Sequence, residues 1–467
     1  MADVRNETSS DRFLFIGLLA LIIWVPLPLG SNRPWAWSFM EVWVNLLALG
    51  WLLLYMLHRV NFTLVFYKAR PIIFLFGLWL VWILVQITPL PVAVVARLSP
   101  QAADNYAMLP VPPEWITISV VPHATQTGLL KSLAYVLTFC LTLLLVNTRK
   151  RIKYFAYALI LSGLFQAVYG SLMTLSGLEY GFFIKKTTSL GFASGTYTNR
   201  NHFAGYIVMC LSVGIGIMIA NLDNSVITGW RQRVFYLVTL ALSEKFRLRL
   251  ALVIMVIALV LTHSRMGNSA FFASLLIAGG LALVLSRHAT RATVILIASL
   301  VIIDIFIVGT WFGVEKVVDR IEQTTLESEH RDETYVHVHN QWSDYLITGS
   351  GLGTFYAVFP KYKTPLEAGG FYTHAHNDYL EFGSETGIIG ITVMGAVVLL
   401  SLGTALLAQY KRRDPLMRGI SFSAIMGITA ILIHSTVDFN LQIPANALTF
   451  MLLLAMAWLS LHMKHAH

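Results

Sequence analysis

Residues 373–413 read THAHNDYLEFGSETGIIGITVMGAVVLLSLGTALLAQYKRR. The stretch opens on two histidines and several carboxylates, continues from 384 to 408 through a long apolar run whose one charge is Glu385, and closes on Lys411, Arg412 and Arg413. About 20 residues of α-helix cross the ~30 Å hydrocarbon core of a bilayer. The run therefore predicts a membrane-spanning helix with a polar mouth at one end and a basic anchor at the other.

The whole chain follows that pattern. Of its 467 residues 56% are hydrophobic and 12% charged, and the mean hydropathy is +0.68, far from the balance of a soluble domain. Comparable apolar runs lie near 13–29, 38–58, 71–88, 128–146, 152–174, 201–221, 250–264, 268–286, 292–313, 384–408, 417–435 and 444–462. The shortest, 250–264, requires snorkelling flanks or a thinned bilayer. An all-α polytopic membrane protein of about 12 transmembrane helices is expected, with residues 1–467 forming a single integral membrane domain.

Orientation follows from the basic residues. With the N-terminus in the cytoplasm, 21 of the 33 Lys and Arg fall on cytoplasmic segments, as the positive-inside rule requires, and both termini are cytoplasmic. The net charge of +9 is then a consequence of topology, and no nucleic-acid partner is expected. The polar, mixed-charge opening MADVRNETSSDR leads into a multispanning chain, so a cleaved signal peptide is not expected. Cys140 and Cys210 both lie in apolar runs, which leaves no disulfide framework.

Two exterior connections are long. Residues 89–127, rich in proline, read as an irregular cap; residues 314–383 hold 11 of the 24 Asp and Glu and five histidines, and a loop of that length is usually functional. The segment RDETYVHVHNQWSDYLI within it predicts a short helix, and GSGLG at 349–353 predicts a turn, since it lacks the Lys-Ser/Thr of a phosphate-binding loop.

Three polar clusters meet on the exterior face. In SGTYTNRNHFAGY, 194–206, Arg200 stands at the mouth of the sixth span, where Asn199 or Asn201 can cap the helix. In THSRMGNS, 262–269, Arg265 occupies the turn between the seventh and eighth spans. The third cluster is the opening stretch. Ionisable groups at the membrane edge are expensive and point to function, and two guanidinium forks at helix N-termini suit a pyrophosphate. The competing reading is arginine snorkelling to lipid headgroups.

Asp378 and Glu381 have the spacing of a capping box with Asp at the cap, which sets His376 just outside the helix, where a hydrated imidazole suits a general base for a sugar hydroxyl. A structural histidine bonding loop carbonyls is the alternative. Gly383, Gly387 and Gly390 read as a packing face for a neighbouring helix. His374-Ala375-His376 with Asp378 also has the spacing of zinc ligands, but the pattern is short and no metal is expected. In HSTVDFNLQIPAN, 434–446, His434 and Asp438 stand i,i+4 and can pair, closing the exterior mouth.

These motifs together resemble the bacterial O-antigen ligase and O-antigen polymerase superfamily. The carrying pattern is His, then Asn, Ser or Gln, nine residues, and Gly-x-x-Gly; here it is His376-Asn377, DYLEFGSET and Gly387-Ile388-Ile389-Gly390. TNRNHFAGY, HSRMG, GSGLGTF and HSTVDFNLQIPAN also resemble the family in order, so the likeness runs from about 190 to 446.

The resemblance implies a C-type glycosyltransferase architecture with a large periplasmic loop, in the bacterial inner membrane. It implies metal-independent, inverting transfer of a glycan from undecaprenyl diphosphate to a sugar hydroxyl, without a cofactor. His376 would activate the acceptor, Arg200 and Arg265 would neutralise the leaving diphosphate, His374 would be the reserve base, and Arg331 would guide the glycan. Asn201, Asn377 and His434 are further candidates for touching substrate. A ligase adds the glycan to lipid A-core and a polymerase to a second carrier-linked chain; the histidine pattern favours the ligase. Relatives labelled as solute or bicarbonate transporters supply a different class, against which stands the placing of the three residues at one face rather than at the midplane.

Overall fold

A computed structural model describes residues 10–222, 244–285, 298–299, 302, 335–363 and 372–464. Its long helices are α1 (Arg12–Trp24), α2 (Pro34–Met56), α3 (Arg70–Ile87), α4 (Pro122–Leu145), α5 (Arg149–Leu175), α6 (Arg200–Ala220), α7 (Glu244–Leu261), α8 (Arg265–Leu285), α9 (Asp378–Lys411), α10 (Pro415–His434) and α11 (Pro444–His462). Among the described residues nine of them are long and apolar enough to cross a membrane, and the chain is an all-α polytopic membrane protein. Of the span expected at 292–313 only residues 298–299 and 302 are described, so that expectation lies outside what the structure describes.

Each of the other eleven expected spans has a helix, with two changes at the ends. The first stops at Trp24, because Pro26 and Pro28 cannot continue it, and the chain turns through Leu29–Ser31. The short seventh run extends backwards through charged residues to Glu244.

α6, α10 and α11 form the centre of the bundle: 89% of the apolar stretch of α6 and 94% of that of α11 is enclosed, against 22% for α2 and α9. Small residues make the inner packing possible. Gly216 of α6 faces Gly419 of α10, and a Cβ on either would run into the carbonyl of the other. The outer helices turn Phe13, Val81, Val284 and Leu399 outward, as lipid contact requires.

Basic residues tie the helices at one end. Arg151 holds Asp11 through both nitrogens at 2.5 and 2.8 Å, in a buried pair. Arg149 pairs with Asp414, which also caps α10 through the Leu416 N–H, and Arg412 donates to the carbonyls of Leu461 and Met463. This is the end where the sequence collects its positive charge.

At the opposite end the two long connections pack on each other. Residues 90–116 fold into two short helices, Val92–Leu98 and Pro100–Ala107, and a small antiparallel ladder between Leu90–Pro91 and Trp115–Ile116. Val95, Ala102 and Ile116 share a core with Tyr345 and Val358 of the second connection. Residues 335–344 are helical, within the segment expected to form a helix.

α9 is broken rather than continuous. Gly387 takes φ 65° and ψ −173°, so residues 378–386 form a separate short helix ahead of the membrane span. The freed carbonyls of the break have other partners: Ser384 accepts from the Ser350 N–H, Glu385 from the Gly351 N–H and Gln86, and Thr386 from the Trp82 indole. GSGLG is the turn that supplies two of those donors. Gly349 sits at φ 72° against the Glu385 carbonyl, where a side chain has no room. The reading of Gly387 as a helix-packing position is therefore corrected, whereas Gly383 does admit the Trp342 ring.

Candidate active site

The polar mouth is built around a carboxylate. Asp438, in the connection between α10 and α11, is 1% exposed, and three imidazoles surround it. His202 in the first turn of α6 stands 3.5 Å away, His434 at the end of α10 3.6 Å, and His376 in the strap before α9 3.8 Å. Burial alone would raise the Asp438 carboxyl; the His202 and His434 imidazoles and the Phe439 N–H hold it well below the usual carboxylate range. It is therefore an anion throughout the neutral range.

His376 is held in a conformation that L-residues seldom adopt, at φ 51°. Such a residue costs on the order of 1–3 kcal/mol and persists where its surroundings over-determine it. Here the Asp378 N–H donates to the carbonyls of Ser435 and Asp438, Asn377 donates to Thr436, and the Tyr335 hydroxyl donates to the His376 carbonyl. The side chain is 37% exposed, so one edge of the ring reaches solvent while Nδ1 faces Asp438.

The cap of α9 differs from the expected one. Asn377, not Asp378, is the cap, accepting from the Leu380 N–H at 3.1 Å. Asp378 instead turns inward, accepting from the Ser435 hydroxyl at 2.6 Å and the Leu441 N–H at 3.2 Å, which fixes the loop that carries Asp438. Glu381 reaches back to the Ala375 N–H at 2.7 Å and to His374 Nδ1 at 2.6 Å. Burial opposes protonation of His374, but the Glu381 carboxylate outweighs it and raises the imidazole above its ordinary value. His374 is thus biased towards imidazolium.

The adjacent histidines therefore serve different carboxylates, His374 with Glu381 and His376 with Asp438, which is not how a shared zinc ion would hold them. Among the described residues no group of three or more His, Cys, Asp or Glu is arranged to hold a metal. Phe439 touches three of the imidazoles, stacking on His374 at 4.3 Å and meeting His202 and His376 edge to face at 4.4 and 4.8 Å.

The two arginines stand at helix starts beside this cluster. Arg200 is the first residue of α6, whose cap is Asn199 accepting from the Asn201 N–H, and its guanidinium lies 3.9 Å from the centre of the Phe192 ring. Phe192 also meets His263, two residues before Arg265, and the Ala193 N–H donates to the Leu261 carbonyl. Arg265 opens α8 as an exposed residue, and Gly267 brings that first turn against Ala204 of α6. The structure thus brings Arg200, Arg265, His376, His374, Asn201, Asn377 and His434 to one end of the bundle; Arg331 lies outside the described residues. His202, Phe439 and the central role of Asp438 were missed. His202 could have been found as the residue two beyond Arg200, in the first turn of the same helix.

Residues 250–395 match the family model described as O-antigen ligase. The match bears out the resemblance to the O-antigen ligase and polymerase superfamily. The matched stretch takes in α7 from residue 250 onward, Arg265, the GSGLG turn and the His376 strap through the break in α9; Arg200, His202 and Asp438 fall outside it and are joined to it by the fold. The long apolar helices make the chain a multi-pass membrane protein, and its residues 250–395 are similar to the O-antigen ligase family. No curated protein matches the chain.

Proposed function

We propose that the protein is an O-antigen ligase-like glycosyltransferase, moving a glycan from undecaprenyl diphosphate to a sugar hydroxyl of lipid A-core at the periplasmic face of the bacterial inner membrane. The observation that carries the reading is the convergence of Arg200, Arg265 and the Asp438-linked His376 at the bundle end opposite the basic loops.

In this reaction the acceptor oxygen attacks the anomeric carbon as the bond from that carbon to the diphosphate oxygen breaks, so the configuration inverts. The hydroxyl proton passes to His376. With Nδ1 turned to Asp438, the proton is taken at Nε2, and the carboxylate stabilises the imidazolium that results. Arg200 and Arg265 receive the charge that develops on the leaving diphosphate, aided by the N-termini of α6 and α8. His374, biased towards imidazolium by Glu381, is the poorer base and better suited to donate to a sugar oxygen. No step calls for a metal.

Purified protein supplied with an undecaprenyl-diphosphate glycan and each acceptor in turn tests the reading. Glycosylated lipid A-core identifies a ligase and lengthened carrier-linked chains a polymerase. Neither product from folded protein rejects both, and loss of activity in excess chelator rejects the metal-free mechanism.

A further inference from the structure

Between α5 and α6 the chain folds into a small hairpin. Tyr180–Gly181 pairs antiparallel with Ile184–Lys185, Gly181 standing opposite Ile184, so Phe182 and Phe183 are the two loop residues. Both take left-handed φ, 41° and 63°. A two-residue loop of this kind favours Asn-Gly or Asp-Gly, because a bulky side chain at positive φ is strained. Two phenylalanines are the costly choice, and strain kept in a fold points to a use for the side chains that cause it. Their rings meet edge to face at 4.4 Å, and Phe183 is 86% exposed, with Ile184 exposed beside it.

The hairpin is tied at both sides of its base. The Tyr169 hydroxyl of α5 accepts from the Phe182 N–H at 2.9 Å and donates to the Tyr180 carbonyl at 3.1 Å. Lys186 Nζ donates to Glu179 Oε2 at 2.7 Å and to the Phe192 carbonyl at 3.0 Å, while Glu179 Oε1 accepts from the Gly191 N–H at 2.8 Å. Phe192 is the residue whose ring carries the Arg200 guanidinium. Hairpin and arginine therefore share one support.

What covers the tip follows from α5. Leu161, Phe165, Val168, Leu172 and Leu175 are exposed at alternating spacings of four and three, a stripe along one face of a helix long and apolar enough to span a membrane. Such a stripe is lipid contact. Phe165 of the stripe stacks on Tyr169, and Tyr169 holds the hairpin, so Leu178, Phe183 and Ile184 extend the same apolar surface past the helix end. The 27 residues of α5 reach about 40 Å, the thickness of a bilayer with its headgroup layers, and they start from the basic turn Arg149, Lys150 and Arg151. The hairpin is thereby set at headgroup depth in the opposite leaflet, where the half-exposed Tyr180 ring and the exposed Lys185 ammonium also suit the interface.

We propose that the hairpin is a membrane anchor: Phe182, Phe183 and Ile184 enter the boundary between headgroups and acyl chains, and Lys185 meets a lipid phosphate. The anchor fixes the height at which Phe192 presents Arg200. That link matters for catalysis only through the transfer reaction proposed above; the anchoring does not depend on it.

The test places a photo-crosslinker in the full chain, as Phe183→p-benzoylphenylalanine and, for a lipid-facing control, Leu172→p-benzoylphenylalanine. Each protein is irradiated in liposomes of phosphatidylethanolamine and phosphatidylglycerol, and intact-mass spectrometry reads the adducts. Lipid adducts are expected at both positions in similar yield. A further pair carries the crosslinker at Ile184, with the tip either native or changed by Phe182→Asn and Phe183→Gly, which suit the turn and keep the hairpin. The changed tip should lower the lipid-adduct yield about tenfold or more, as loss of two buried phenylalanines implies. Cross-links to a second copy of the chain, absence of lipid adducts at Phe183, or an equal yield with the changed tip would each overturn the anchor. Glycan transfer should fall with the changed tip, and an unaltered rate would overturn the link to Arg200. Lipid adducts alongside no transfer by the wild-type chain would count against the reaction and leave the anchor standing.

Discussion

Asp438 lies 3.8 Å from His376 and is shared with His202 and His434, so one buried anion organises imidazoles from α6, α10 and the strap before α9. The carboxylate at that point faces Nδ1 of His376 and leaves Nε2 turned outward. Asp438→Asn keeps the shape and removes the charge. Turnover should then fall by about 10²-fold, the scale of general-base catalysis, and the acid limb of the pH–rate profile should move to lower pH, because the imidazolium loses its stabilising neighbour. A merely structural Asp438 would leave the position of that limb unchanged.

His374 and Glu381 predict a pH-dependent stability. The imidazole is raised above its ordinary value of 6.5 in the folded protein, so the pair's contribution is fully present below about pH 6.5 and is lost as pH rises through the raised value. Thermal unfolding followed between pH 6 and 9 should show a decline that His374→Gln abolishes. A parallel decline in the variant would assign the effect elsewhere.

Gly349 and Gly387 both take left-handed φ, each against a carbonyl of the other's segment. Ala at either position combines strain with a backbone clash, a cost of roughly 1–3 kcal/mol from the conformation alone. Both variants should unfold at lower temperature and lose transfer, because the break at Gly387 holds Glu381 and Glu385 in place. Gly395, whose added Cβ would meet open space, is the control and should tolerate Ala with a small change.

The buried pair of Asp11 and Arg151 offers a test at the other end of the bundle. Removing one partner, as in Asp11→Leu, strands a desolvated charge and should cost roughly 3–5 kcal/mol. Replacing both with apolar residues should recover most of that loss. Equal destabilisation by the single and double replacements would show that the charges contribute little there.

How much of this was legible in the sequence depends on the kind of signal. Apolar runs of bilayer length are determined by composition, so the helices of all the described spans were readable, as was the gathering of Arg200, Arg265 and His376 at one end once basic residues fixed the topology. The break at Gly387 was not, because a glycine inside an apolar run reads alike whether it packs a helix or interrupts one; only the donors of Ser350, Gly351, Gln86 and Trp82 decide. The cap moved by one residue for a related reason. Asn377 and Asp378 are both good caps, and the inward pull of Ser435 and Leu441 on Asp378, 57 and 63 residues away, has no local trace. His202 was overlooked because it sits in an apolar helix whose start was read for its arginine.

The most direct test of the central claim is glycan transfer by purified His376→Ala and Arg265→Ala, with folding checked by size-exclusion profile and unfolding temperature. Both variants should insert and fold like wild type, yet give no glycosylated product from undecaprenyl-diphosphate glycan and lipid A-core. Wild-type rates of transfer in either variant would contradict the assignment of these residues to the reaction.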